Sequence, residues 1–210
     1  MVKYLPKLEK VEIMDRYFGF TADFRSLESL SVLVLVSSQI TAFPLLPESI
    51  QVLNISQNSK IRWSLQDIAA SPLPNLETLV VDDNTQIENT HVLAILAPSL
   101  EKRSLQSLSF SGCRSVDFHS LEWLMKHGEN LKALTIGSNT TITDEVLKEV
   151  AKFKKLRYLG LHFSGISAVG LLNVVNGSPS VLREVNISGC TKISSDAVQL
   201  AAKYGVKLTR

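Results

Sequence analysis

The sequence of 210 residues predicts an α/β fold, a solenoid of stacked repeats in which short parallel strands alternate with return segments that are mostly helical. Two observations predict this class. A nine-residue pattern of apolar positions recurs eight times at intervals of 20 to 29 residues, and amphipathic helical segments follow most of the later copies. A repeat of this length forms one structural unit that buries its apolar side chains only against neighbouring units.

The repeated pattern is an apolar residue, two free positions, an apolar residue, one free position, an apolar residue, two free positions, and then Asn, Cys or Ser. It is clearest in LETLVVDDN at 76–84, LQSLSFSGC at 105–113 and LKALTIGSN at 131–139, and least clear in LEKVEIMDR at 8–16. We therefore expect a single domain covering 1–210 with about eight repeats, which start near residues 8, 30, 50, 76, 105, 131, 156 and 182.

The pattern and its spacing resemble the leucine-rich-repeat family. This resemblance implies a right-handed horseshoe, with a parallel β-sheet on the concave face and helices on most of the convex face. It also implies a structural ladder at the ninth position, where side chains satisfy backbone groups left unpaired as each strand turns away. Cys at this position is typical of the repeats in F-box proteins. The predicted ladder consists of Ser38, Asn58, Asn84, Cys113, Asn139, Ser164 and Cys190.

The longer repeats carry helical signals. In the segment 143–153, Thr143 is a candidate N-cap, acidic residues occupy the first turn, and Val146, Leu147 and Val150 share one face. The segment 194–205 has a similar arrangement and ends at Gly205, a predicted helix stop. Further helices are expected near 90–97, 118–127 and 167–175. The short repeat at 30–49 contains two prolines, which favour an extended connection there.

The free positions flanking the core residues of each strand predict the concave surface. An exposed apolar patch often marks an interface, and Tyr and Phe are effective anchors. For the valines, strand propensity alone is an alternative explanation, and the sequence leaves both open. We expect Asp82 and Asp83 to pair with a basic residue of a partner. The predicted partner-binding residues are Val32, Val34, Val36, Val52, Asn54, Val80, Asp82, Asp83, Tyr158, His162, Phe163, Glu184 and Asn186.

Composition and motifs argue against several function classes. Lys and Arg number 22 against 20 for Asp and Glu, so the net charge of +2 lacks the basic field that nucleic acids select. No window approaches the roughly 20 apolar residues of a membrane-spanning helix. The four histidines are spread over three repeats, and neither Cys has the spacing of a zinc ligand. Phosphate-binding and nucleophile motifs are missing. We expect no catalytic residues, no cofactor and no metal, and hence no enzyme.

The two cysteines bear on the compartment. Cys113 and Cys190 lie three repeats apart, about 14 Å or more at the spacing of strands, and a disulfide needs about 7 Å or less. Unpaired thiols and an N-terminus without a signal-peptide pattern favour an intracellular location, cytoplasmic or nuclear. Small mitochondrial proteins of the same repeat type leave a mitochondrial location as the minority alternative.

The ends of the solenoid lack a clear polar cap. Tyr4, Leu5 and Leu8 give modest cover at the N-terminal end, and Leu208 is expected to begin a ninth copy. Since terminal repeats need cover, we expect further repeats or another subunit to meet the ends.

The expected function is a non-enzymatic scaffold or adaptor that binds a protein partner on its concave face. The Cys-type repeats resemble the substrate-recognition part of F-box ubiquitin ligases, although no F-box is recognisable. An assembly factor or a structural subunit of a large complex is therefore an equal alternative. An inhibitor-like enzyme regulator and a pathogen effector, the latter suggested by LPES at 46–49, stay open.

Overall fold

The computed structural model describes residues 7–14, 22–139, 141–177 and 181–210, without the side chains of residues 118–121 and 125. Within these residues, one parallel sheet contains nine strands in the order of the chain. The strands are β1 (Lys10–Ile13), β2 (Val32–Leu35), β3 (Val52–Asn54), β4 (Thr78–Val80), β5 (Ser107–Ser109), β6 (Ala133–Thr135), β7 (Tyr158–Gly160), β8 (Glu184–Asn186) and β9 (Lys207–Thr209). The helices are α1 (Leu65–Ala69), α2 (Asn89–Glu101), α3 (Phe118–His127), α4 (Asp144–Val150), α5 (Ala168–Gly177) and α6 (Ser195–Ala202).

The repeat frame sets the register of the sheet. Each of the eight predicted starts lies two residues before the first residue of a strand. Equivalent frame positions are also paired across the sheet, as in Leu53 with Leu79 and Leu108 with Leu134. The predicted parallel α/β solenoid is therefore confirmed.

The core is continuous from repeat to repeat because the three apolar frame positions face inward. Ile50, Leu53 and Ile55 are fully buried, and the central leucines of the neighbouring strands are buried with them. A strand places alternate side chains on opposite faces. Burial of the central residue of each strand therefore turns its two neighbours to the other face of the sheet, the concave face.

The convex side changes character along the chain. In the N-terminal repeats the return segments are extended and joined by single parallel bridges, between Asp23 and Leu45 and between Ala42 and Arg62. In the C-terminal repeats they are helices that pack side by side. Thr143 is the N-cap of α4, but its side chain makes no capping hydrogen bond. The five-residue α1 was not predicted; the Ser64 hydroxyl caps it by accepting a hydrogen bond from Asp67 N at 3.4 Å.

The predicted ladder residues lie buried beneath the turns that follow the strands. Asn58 Nδ2 donates to the carbonyls of Leu35, Ile55 and Ser56 at 2.5, 3.0 and 3.0 Å. Asn84 Nδ2 donates to the carbonyls of Ile55 and Val81. These bonds join each turn to the previous repeat, so the ladder closes backbone groups that the stacked strands leave open.

The remaining ladder residues also bond to neighbouring repeats, through thiol, hydroxyl or amide groups. Cys113 Sγ donates to Val81 O at 3.1 Å, and Cys190 Sγ donates to Leu161 O at 3.1 Å. Ser38 Oγ bonds to Asn58 Oδ1 at 3.1 Å, and Ser164 Oγ lies 3.5 Å from Cys190 Sγ. Asn139 Nδ2 donates to the carbonyls of Phe110 and Ile136.

The C-terminal end differs from the expectation in register. Leu208 pairs with Val185, so it occupies the second apolar position of a ninth copy and not the first. The expected start at Leu208 was therefore wrong by three residues, because the return segment that contains α6 is shorter than those of the five preceding repeats. At the N-terminal end, Tyr4 and Leu5 lie outside the described residues, and Leu8 packs partly buried against the core.

Candidate partner-binding surface

The concave face carries two rows of side chains that the parallel register aligns. The first row contains the first residue of β2 to β8, namely Val32, Val52, Thr78, Ser107, Ala133, Tyr158 and Glu184. The second row contains the third residue of each strand, namely Val34, Asn54, Val80, Ser109, Thr135, Gly160 and Asn186. Eight of the predicted binding residues stand in these rows.

The valines form one apolar patch at the N-terminal end of both rows. Val32 pairs with Val52, while Val34 and Val80 stand on either side of Asn54. The expectation that these valines face water is wrong for Val34, which is 9% exposed because its neighbours cover it. Val32, Val52 and Val80 are half-buried, and Val36 is half-buried in the turn after β2. The patch therefore exposes less apolar side-chain surface than the sequence predicts.

The turns after the strands form a second strip, here called the rim. Backbone hydrogen bonds join it across the repeats: Asp83 N to Ser111 O, Gly112 N to Gly137 O, and Ser138 N to His162 O, at 2.8, 3.1 and 2.7 Å. The predicted Asp82, Asp83, His162 and Phe163 belong to the rim. These four residues lie beyond the C-terminal ends of the strands, whereas Val32, Val52 and Val80 lie on the strands themselves.

At the acidic end of the rim, Asp82 already forms hydrogen bonds within the protein, which the sequence did not predict. Asp82 Oδ1 accepts hydrogen bonds from Ser109 Oγ at 2.6 Å and from Ser111 N at 2.8 Å. Burial of the carboxyl is the main cause that raises the pKa of Asp82, against the lowering effect of these two bonds. Asp83 is exposed, with a left-handed backbone at φ 56°. Asp83 is therefore the more accessible carboxylate of the pair.

Replacing Asp82 with Asn tests this burial. The native state holds the Asp82 proton to a higher pH than the unfolded chain does, so ionisation above the unfolded pKa of 3.8 costs native stability. The amide oxygen of the replacement side chain keeps the two hydrogen bonds without that cost. We expect the stability difference, variant minus wild type, to rise from pH 4 to pH 7 in urea unfolding. The exposed Asp83 provides a control: Asp83→Asn should change the stability less between pH 4 and pH 7. If the stability difference between Asp82→Asn and the wild type instead fell with pH, burial would not be what raises the pKa of Asp82.

The aromatic end of the rim lies three strands further along. The Phe163 side chain is 70% exposed, and its ring occupies the place that a Cβ on Gly189 would need. Its centroid lies 6.1 Å from that of His162, in an edge-to-face arrangement. Gly189 has a φ of +72°, so a glycine is required there by the backbone as well as by the ring. This glycine is a support for Phe163 that the sequence analysis missed.

Two predicted C-terminal residues are engaged within the protein. Glu184 accepts hydrogen bonds from Thr209 Oγ1 at 2.9 Å and Lys207 Nζ at 3.2 Å, and these bonds lower the pKa of its carboxyl. Asn186 Oδ1 accepts from Ser188 N at 3.0 Å, as Asn54 Oδ1 does from Ser56 N. Glu184 is thus already paired, whereas Tyr158 stands half-buried in the first row with its ring available to a ligand.

Small residues separate the acidic and aromatic ends of the rim. Ser111 and Gly137 stand between Asp82 and His162, which are three strand spacings or about 14 Å apart. Ser111 Oγ and His162 Nδ1 are buried without a hydrogen-bond partner among the described residues. The rim therefore carries carboxylates at one end, small residues in the middle and an exposed aromatic side chain at the other end.

The described part of the chain offers little support for a metal site, a membrane span or a reactive thiol. There, no three His, Cys, Asp or Glu side chains lie close enough to hold a metal ion. No described helix has both the length and the apolar character needed to cross a bilayer. Cys113 and Cys190 are free and buried, and burial raises the pKa of the Cys113 thiol to about 12. A thiol in that state is a weak nucleophile.

Comparison with known proteins identifies the fold. No family model matches the sequence, and neither does any curated protein. Among solved structures, human 5T4 (Wnt-activated inhibitory factor 1, trophoblast glycoprotein) is similar with a TM-score of 0.67 and 15% identity, covering 89% of this chain and 71% of 5T4. A leucine-rich-repeat protein of Leptospira interrogans has a TM-score of 0.62 and 17% identity, covering 100% of this chain and 50% of that protein.

A third similar structure is the complex of TLR13 with the RNA ssRNA13. It has a TM-score of 0.61 and 18% identity, and the match covers 99% of this chain and 29% of TLR13. The chain thus spans half or less of two of these three proteins. Identities this low show the architecture alone. With the register and the ladder described above, they establish that this chain folds as a leucine-rich-repeat solenoid.

Proposed function

We propose that this protein is a non-enzymatic interaction scaffold that binds a protein partner across its concave face and rim. The observation that supports this most strongly is the exposed ring of Phe163, held in place beside His162 by the close approach of Gly189. An exposed aromatic on a rigid support loses little entropy on binding and is a typical anchor of protein interfaces.

The valine patch provides a second contact region. Val32, Val52 and Val80 present half-buried apolar side chains on the flat part of the sheet. Such a patch gains energy when a partner removes it from water, by roughly 25 cal/mol for each Å² of apolar area. A partner that reaches from the valines to Phe163 crosses the small residues of β5 and β6, which offer it no steric obstacle.

A protein fits this surface better than a nucleic acid does. TLR13 was solved with RNA, but this chain carries a net charge of only +2 and places Asp82 and Asp83 on its rim. Carboxylates at this end of the rim repel a phosphate backbone. Catalysis is not part of the proposal, because it needs converging titratable groups and the rim has one acidic pair and a half-buried imidazole.

The partner class separates the more specific alternatives. A chain that co-purifies with ubiquitin-ligase components would be a substrate-recognition module of the F-box type, as the Cys-type repeats suggest. Stable incorporation into a large assembly would indicate an assembly factor or structural subunit. Inhibition of a bound enzyme would indicate a regulator, and binding to host proteins an effector. The free thiols of Cys113 and Cys190 favour an intracellular site of action, in the cytoplasm, nucleus or mitochondria.

Affinity purification with matched variants tests the proposal. Val52→Glu and Phe163→Ala change the concave face and the rim, and we expect each to weaken capture of the wild-type partner at least tenfold, as for an interface hot spot. Val169→Glu is the matched control, since Val169 is 62% exposed on the convex helix α5. The proposal would be overturned if Val52→Glu and Phe163→Ala both retained the partner, or if only Val169→Glu lost it.

A further inference from the structure

A polar cleft outside the concave face lies where the chain turns into the return segments of the second to fourth repeats. It has a volume of about 660 Å³ and is lined by Thr41, Ser59, Lys60, Arg62 and Gln86. A smaller cleft of about 250 Å³ adjoins it and shares Ser59 and Lys60 with it. The two clefts form one continuous surface, here called the basic cleft, which begins just beyond the ladder residue Asn58.

The cations of the basic cleft are not neutralised by the described residues. No described carboxylate lines either part of it, and neither Lys60 nor Arg62 forms an ion pair with a described residue. The acid at the position equivalent to Arg62 in the next repeat is Glu88. Glu88 lines neither part of the cleft; it occupies the N-cap position of α2, where its backbone N–H donates to His91 Nδ1 at 3.1 Å. The cleft is therefore a local concentration of positive charge in a nearly neutral protein.

The backbone holds the two cations on the same side. Ile61 between them is fully buried, and Ile61 N donates to Asn58 O at 3.1 Å, while Arg62 N donates to Thr41 O at 3.0 Å. Lys60 and Arg62 are both exposed on either side of the buried Ile61, so both side chains point away from the core. Lys60 Nζ donates to Gln39 Oε1 at 2.6 Å, which orients the ammonium group at the junction of the two clefts.

The lining has the chemistry of a phosphate site. A guanidinium offers several donors in a fixed plane and an ammonium adds a compact charge, and both pair well with phosphate oxygens. The hydroxyls of Thr41 and Ser59 and the amide of Gln86 add uncharged donors. A phosphate monoester carries close to two negative charges at pH 7, which matches the two cations.

We propose that the basic cleft binds a phosphate monoester on a protein partner, that is, a phosphorylated serine or threonine side chain; this rests on the proposed scaffold function. A single phosphate group fits better than a polyanion because the cleft ends at an acidic neighbour. Gln57 lines its smaller part, and Gln57 N donates to the carbonyl oxygen of Asp82 at 2.8 Å. A nucleic-acid backbone continuing along the rim would meet the carboxylates of Asp82 and Asp83.

Nuclear magnetic resonance titration of the full chain with a short phosphoserine peptide tests the inference. We expect saturable shifts of the backbone amides of Ser59, Lys60, Arg62 and Gln86, and none with the unphosphorylated peptide. Lys60→Gln and Arg62→Gln should each weaken binding about tenfold, the usual loss for one charge-assisted hydrogen bond. Arg183→Gln is the matched control, an exposed arginine without an ion pair among the described residues, and should bind as the wild type does.

Competing ligands decide the source of the anion. If inorganic phosphate binds as tightly as the phosphoserine peptide, the cleft is a site for free anions. If a peptide with glutamate in place of phosphoserine binds equally well, phosphate is not required. Tighter binding of a short single-stranded RNA would indicate a nucleic-acid site. Each of these outcomes overturns the proposal, as does the absence of any shift. Val52→Glu and Phe163→Ala should leave phosphopeptide binding unchanged, so loss of the concave partner and loss of the cleft are distinguishable.

Discussion

Replacing Asn58 with alanine is expected to lower the free energy of unfolding by about 3 kcal/mol, because it removes several buried hydrogen bonds at once. The Asn58 amide bonds to the carbonyls of Leu35, Ile55 and Ser56 and accepts from Ser38 Oγ. No water replaces these bonds easily, since Asn58 is almost completely buried. Urea unfolding followed by circular dichroism measures the change.

A matched control is Asn130→Ala. Asn130 Nδ2 also bonds to a backbone carbonyl of the preceding repeat, that of Arg103, but the bond is exposed to solvent. Water can replace it, so the expected loss is below about 1 kcal/mol. Equal effects of the two substitutions would mean that the Asn58 position is an ordinary turn and that the ladder does not hold the repeats together.

Replacing Leu134 with alanine is expected to cost about 2 to 5 kcal/mol, the range for leucines removed from packed cores. Leu134 is fully buried at the centre of β6, between Leu108 of β5 and Leu159 of β7. In a stacked array each repeat is stabilised by its neighbours, so a cavity here weakens two interfaces at once. Urea unfolding measures the loss.

The control for this change is Lys132→Ala in the same repeat. Lys132 is exposed and bonds to Gln106 Oε1 at 2.6 Å on the surface. Its loss should change the free energy of unfolding by less than about 0.5 kcal/mol. A small effect of Leu134→Ala would contradict the continuous core.

Much of the fold could be predicted because the repeat frame encodes burial directly. The eight starts identified in the sequence lie at a constant distance from the strands, since apolar spacing fixes which residues face inward. The convex side was less predictable. The single turn of α1 has little periodicity and depends on its Ser64 cap, and the register of Leu208 depends on the length of the preceding return segment.

The candidate site was only partly predictable for a different reason. The repeat frame predicts which residues lie on the concave face. It does not predict whether neighbouring side chains bury such a residue or form hydrogen bonds with it. Val34 is covered, Asp82 bonds to Ser109 and Ser111, and Glu184 pairs with Lys207. Each of these contacts joins repeats about 23 to 29 residues apart, so its strength depends on side-chain positions that the pattern does not contain. The cations of the basic cleft were missed because they lie outside the frame.

Site-specific photo-crosslinking of the complex tests most directly whether the concave face and rim bind the partner. A photoreactive residue would be placed in turn at Val52, Tyr158 and Phe163, and at Leu65 and Val169 on the convex helices, with the crosslink yield to the same partner measured at each position. We expect adducts from the first three positions and none above background from the two convex ones. Equal or higher yields from Leu65 and Val169 would show that the partner binds the convex side and not the concave face.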